Sequence, residues 1–124
     1  MNMQKSHSPK DIQAEITFLA TEEGGKKQPV FSGYRPQFYV DGKDFVVVHE
    51  FFDVVEPIYP GQTAKAYLSF TYPEYLLKVL HVGKEFLIRE GQRVVARGVV
   101  KRILDLEKSA IEAEAREAKR RGSI

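Results

Sequence analysis

A chain of 124 residues, 43% of them apolar, suits a single domain with one core and is too short for two. It contains no cysteine, so disulfides, thiolate metal sites and thiol nucleophiles are excluded together. Its 19 basic and 17 acidic residues are interleaved, and a formal net charge of +2 does not by itself point to a polyanionic partner. No apolar run approaches the roughly 18 residues of a membrane span. The stretch MNMQKSHSPK is too polar for a secretory signal, so a cytoplasmic protein is expected.

Residues 1–10 are polar and unpatterned and read as a disordered leader. From Asp11 the pattern sharpens: Ile12, Ala14, Ile16, Phe18 and Ala20 alternate with Asp11, Gln13, Glu15 and Thr17. This period of two predicts a strand with the apolar set inward. The turn EEGGKKQ (22–28) ends at Pro29, and GYRPQFYV (33–40) follows, interrupted by Pro36. Proline lacks a ladder N–H, so an edge or bulged strand is expected there. After Asp41-Gly42-Lys43-Asp44 comes FVVVHEFF (45–52), the most strand-prone run, with His49 expected to point outward.

A second turn, Glu56 to Gly61, leads to Thr63–Thr71, where Ala64, Ala66, Leu68 and Phe70 fall on one face. YPEYLLKVLHVG (72–83) fits neither period and reads as a long apolar connection. Phe86 to Ile103 is a hairpin with Glu90-Gly91 at its tip. From Leu104 the composition shifts to Glu, Ala, Lys and Arg, predicting a helix that Gly122 can stop. Its thin apolar stripe (Leu104, Ile111, Ala115, Ala118) suits a helix that docks weakly or meets a copy of itself. Short strands at regular spacing without intervening helices argue for an antiparallel barrel or sandwich.

The blocks EEGGKKQPVFSGYRPQFYV, YPGQ and FLIREGQRVVARGVVKRIL, in this order and spacing, closely resemble domain 3, the carboxyl-terminal β-barrel, of bacterial elongation factor Tu. The resemblance runs roughly from Ile12 to Leu104. It implies an all-β fold, a closed six-stranded antiparallel barrel over 11–104, followed by a charged helix over 105–124. In that family the barrel touches the T-stem backbone of aminoacyl-tRNA and packs against the GTPase domain and the nucleotide-exchange factor. The family's RNA-facing positions fall here on Lys26, Lys27, Gln37, Glu90 and Gly91. Cations with an amide and main-chain N–H groups suit phosphate and sugar binding without sequence reading.

The departures weaken that use. Asp41, Gly42 and Lys43 stand where the family has an arginine and threonines, and Tyr72 replaces a basic residue. The connection over 74–82 is longer and more apolar than the family's. There is no GxxxxGK[ST] loop, so nucleotide binding by this chain is not expected.

The remaining features have plain structural readings. Arg35, Arg89, Arg93 and Arg97 are expected to form cross-strand ion pairs with Glu85, Glu90 or Asp53. His7, His49 and His81 are scattered without a ligand-spaced partner, so no metal or other cofactor is expected. No side chain has a convincing partner base, and a self-filled barrel leaves no deep pocket, so no catalysis is expected. The segment from Tyr75 to Val82 is either a flap over one barrel end or an exposed patch. Two functions follow. One is a protein-docking module, its partner a translation factor or a second copy, with Arg35, Tyr75, Leu76, Leu77, Val79 and Leu80 as interface candidates. The other grips the backbone of tRNA or another structured RNA through the five family positions.

Overall fold

The computed structural model describes residues 9–122. Six strands, β1 (Ile12–Phe18), β2 (Gln37–Val40), β3 (Lys43–Phe52), β4 (Thr63–Phe70), β5 (Glu85–Glu90) and β6 (Arg93–Ile103), precede the helix α1 (Leu106–Gly122). The order β1-β4-β3-β2-β5-β6 closes on itself with every pairing antiparallel. The fold is therefore the closed six-stranded barrel with a C-terminal helix that the sequence implied, and closure removes every sheet edge.

Alternation sets the core. Ala14 lies opposite Ala66 and Ile16 opposite Ala64, all four buried. The small side chains of this seam leave the interior to large rings from the facing wall. Phe38 stacks on Phe86 at 4.2 Å and meets Phe70 edge-on at 4.9 Å. Gly98 is required by this packing, because a Cβ there would lie 2.4 Å from the Phe86 ring.

Three expectations are corrected. Pro36 does not mark an edge: β2 starts one residue beyond it, between β3 and β5, so the missing N–H falls outside the ladder. His49 points inward, because the register of β3 turns Val47, His49 and Phe51 to the core. It lies 5.3 Å from the Tyr34 ring and 5.7 Å from Phe51. Asp11, assigned to the polar face by alternation, is buried because α1 folds over it. Ser109 Oγ donates to Asp11 Oδ1, and the Phe70 N–H donates to Oδ2 at 2.8 Å.

The two ends of the barrel close differently. At the end holding the β5–β6 turn, the chain before β2 and the chain before β4 fold together, joined by a Val30–Ile58 bridge. Glu56 accepts from the Ser32 N–H at 2.6 Å and from the Ser32 hydroxyl at 2.7 Å. At the opposite end the 71–84 connection turns inward after a 3-10 turn at Pro73–Tyr75, burying Leu76 and Leu80 in the core. For these two residues the flap is realised and the exposed patch is not, whereas Tyr75 and Val82 face water.

Helix α1 docks on this flap through Leu106, Ser109, Ala110 and Ala113. That corrects the helix face, since the stripe Ile111, Ala115 and Ala118 is left exposed. The leader expected over 1–10 lies mostly outside the described residues. Its last residue, Lys10, is described and reaches Glu50 at 3.8 Å.

Candidate functional site

The β5–β6 turn assembles a polar cluster. Gly91, at φ 62, lets the chain reverse immediately after Glu90. Glu90 Oε2 accepts from Lys26 Nζ at 2.6 Å and from the Tyr34 hydroxyl at 2.7 Å. The Lys26 ammonium also lies 5.5 Å from the centre of the Tyr34 ring. Arg93 donates to the carbonyls of Gly24 and Gly25 at 3.2 and 2.5 Å, buckling the 22–28 turn onto the hairpin. Gly25 tolerates no side chain, since a Cβ would lie 2.2 Å from the Leu19 carbonyl oxygen.

The electrostatics follow from these contacts. Burial pushes the Glu90 carboxyl upward, but the bonds from Lys26 and Tyr34 outweigh it and hold the group below the usual range. Burial raises the Tyr34 hydroxyl, and its bond to Glu90 raises it further. The charge of Lys26 is thereby engaged in an internal pair.

Of the five RNA-facing candidates, the structure brings Lys26, Glu90 and Gly91 together at this tip. Lys27 is exposed beside them, with no ion pair among the described residues. Gln37 lies on β2 opposite Arg89, one position from Glu90, and its Oε1 is buried without a partner.

The protein-interface candidates do not assemble into one surface. Arg35 precedes β2 at the hairpin-tip end, whereas the flap closes the other end. Leu76 and Leu80 face the core and Leu77 and Val79 are half-buried, so Tyr75 is the flap member most open to contact. Its ring lies 6.4 Å from that of Tyr72, which is also exposed.

A surface that sequence reasoning missed lies on the outer wall. Tyr39, Leu87, Arg97 and Thr17 form one row across β2, β5, β6 and β1, and Glu85, Val99 and Glu15 form the next. Together with Asp41 they line an open groove of about 580 Å³. The signal was present in the alternation: Leu87 and Val99 are apolar in the outward phase of their strands. Only barrel closure places them side by side.

The arginines also depart from expectation. Arg89 pairs with Asp44 at 2.7 Å, rather than with Glu85, Glu90 or Asp53, and stacks 4.0 Å over Tyr39. Arg93 binds main-chain carbonyls, and Asp53 meets Lys65 at 3.4 Å. Arg35 and Arg97 form no ion pair among the described residues.

His49 is completely buried and neither ring nitrogen has a partner; burial lowers its pKa to about 3, so the imidazole is neutral. It cannot serve as a surface base. Among the described residues no group of three or more His, Cys, Asp or Glu is placed to hold a metal ion. No described helix is long and apolar enough to cross a membrane.

Fold and surface together define a small closed barrel with a filled interior and an open groove on its outer wall. The family model of the elongation factor Tu C-terminal domain matches residues 5–104, and the chain belongs to that family. It is a translation-factor-related module in which α1 lies beyond the family match.

Proposed function

We propose that this chain is a non-catalytic docking module that engages a protein partner through the outer wall of its barrel, assisted by Tyr75 of the 74–82 connection. The observation that carries this reading is the outer-wall groove. Tyr39, Leu87 and Val99 provide apolar contact, interleaved with the charges of Glu15, Asp41, Glu85 and Arg97. Apolar side chains mixed with charge in about equal share are compatible with a non-obligate protein interface, which is no more apolar overall than other surface. The groove is open to solvent rather than an enclosed cavity.

The RNA reading has less support. It needs free cations at the hairpin tip, and Lys26 is neutralised there by Glu90. What favours it is the exposure of Lys27 and Arg35 at the same end of the barrel.

Immobilised protein, presented with a cell lysate, separates the two. A partner captured by the wild type is expected to be lost on Leu87→Glu with Val99→Glu and kept on Lys27→Glu with Arg35→Glu. Retention by the outer-wall variant, with loss in the lysine and arginine variant and a steep fall with salt, would replace the docking reading with RNA binding. Capture of nothing by the wild type would count against both.

A further inference from the structure

Helix α1 has two unlike faces. Leu106, Ser109, Ala110 and Ala113 are buried against the flap, and the bond from Ser109 to the buried Asp11 fixes the helix on the barrel. On the far side Ile111, Ala115 and Ala118 recur at spacings of four and three, so they form one stripe, and all three are exposed. Ile111 has 59% of its surface in water. This docking leaves the apolar stripe outward.

The charges along the helix are segregated. From Leu106 to Glu114 it carries Glu107, Glu112 and Glu114 against Lys108, a net of −2. From Ala115 to Gly122 it carries Arg116, Lys119, Arg120 and Arg121 against Glu117, a net of +3. A parallel copy would set like charge against like. An antiparallel copy sets the acidic half of each helix against the basic half of the other.

We propose that α1 is a self-recognition element, pairing antiparallel across a two-fold axis with α1 of a second copy of this chain. The stripe is self-complementary under that operation. With Ile111 and Ala118 about equally far from the pair's centre, each isoleucine packs beside the partner's smaller alanine. Alanines at the crossing allow the helix axes to approach to about 8 Å. Glu107 then lies near Arg121 of the second copy, and Glu112 near its Lys119. Arg121 also meets Glu117 within its own helix at 3.2 Å, but an exposed pair of that kind is a weak competitor.

A two-fold contact closes at two copies and leaves no open surface for fibre growth. The stripe shares no residue with the outer-wall groove, so this inference stands apart from the docking function. The helix has 17 residues and spans about 25 Å, which places the contact at or below the roughly 1,200 Å² lower bound of standard interfaces. The dimer is accordingly concentration-dependent.

Sedimentation velocity on the full chain tests this, with circular dichroism to confirm that each variant keeps its helix. The wild type should shift from monomer to dimer with concentration and back with salt. Ile111→Glu should remain monomeric. One triple variant, Glu107→Lys with Glu112→Lys and Glu114→Lys, makes both halves of the helix net basic. Another, Arg116→Glu with Lys119→Glu and Arg121→Glu, makes both halves net acidic. Each alone should dimerise at least roughly tenfold more weakly, and mixing the two should restore a heterodimer. A wild type that is monomeric at every concentration overturns the proposal. So do triple variants that dimerise like the wild type, a mixture that restores nothing, or assembly beyond two copies.

Discussion

At the hairpin-tip end of the barrel, Val30 and Ile58 are buried in the core, and Glu90 gathers Lys26 and Tyr34 while Glu56 holds Ser32, so hydrogen bonds and charge add to the apolar closure there. At the flap end, Leu76 and Leu80 fill the opening and α1 lies over them, so closure is made mainly by apolar volume, with the buried Asp11 as its polar anchor. The difference separates what each end responds to. Polar closure feels pH and salt, whereas apolar closure feels the loss of a methyl group.

The largest expected effect is at the hairpin-tip half, where His49 shares an aromatic layer with Tyr34 and Phe51. Burial holds its folded pKa at about 3, against 6.5 for the unfolded chain. The unfolded state therefore takes up a proton that the folded state refuses. The contribution is complete above 6.5 and is lost as pH falls toward 3, by about 1.4 kcal/mol per pH unit at the steepest. Urea unfolding at neutral and acid pH should show this loss, and His49→Leu should remove it. An unchanged pH slope in that variant would assign the acid sensitivity elsewhere.

At the flap end, Leu76→Ala should cost about 2–5 kcal/mol, because it empties a fully buried site in a packed interior. The loss should be the same at neutral and acid pH. Leu77→Ala, at a half-buried position next to it, should cost clearly less by the same unfolding measurement. Equal losses would mean that the flap closes the end without packing into it.

Asp11 gives the flap end a weaker response of opposite sign. Burial raises its pKa above 3.8 despite the bonds from Ser109 and Phe70, so the ionised carboxylate is disfavoured in the fold. Acidification through the window between the raised value and 3.8 should therefore stabilise this end while His49 destabilises the other. Asp11→Ala leaves the Ser109 hydroxyl and the Phe70 N–H without their acceptor and should cost about 1–3 kcal/mol. Hydrogen exchange should locate the loss at α1 and the end of β4. Exchange unchanged there would show that the helix is held without this anchor.

These contrasts explain what could be read from the chain alone. β1 and β4 alternate cleanly, and the Phe86–Ile103 hairpin carries both its turn and the family blocks, so strands and barrel were legible. FVVVHEFF is apolar in both phases, so its pattern does not choose which face His49 takes; the register with β4 does. The contact that buries Asp11 spans 98 residues, and no local pattern records it. The connection over 72–83 lacks a period because it is a plug rather than a strand or helix. At the candidate site, the family blocks located Lys26, Glu90 and Gly91. The outer-wall groove required Leu87 and Val99 to be placed side by side by closure, which alternation within one strand cannot express.

The smallest stability effect concerns the tip, yet it bears most directly on function. Lys26 and Glu90 are partly exposed, so Glu90→Gln should cost about 1 kcal/mol or less, and salt should reduce even that. The substitution leaves the fold intact and releases the Lys26 ammonium beside the exposed Lys27. If the internal pair is what keeps this end from gripping a phosphate backbone, Glu90→Gln should bind tRNA more tightly than the wild type in low-salt filter binding, and Lys26→Ala should abolish the gain. Identical weak binding by all three proteins would show that the tip has no phosphate site to uncover. Contact with partners would then rest on the outer wall and on α1.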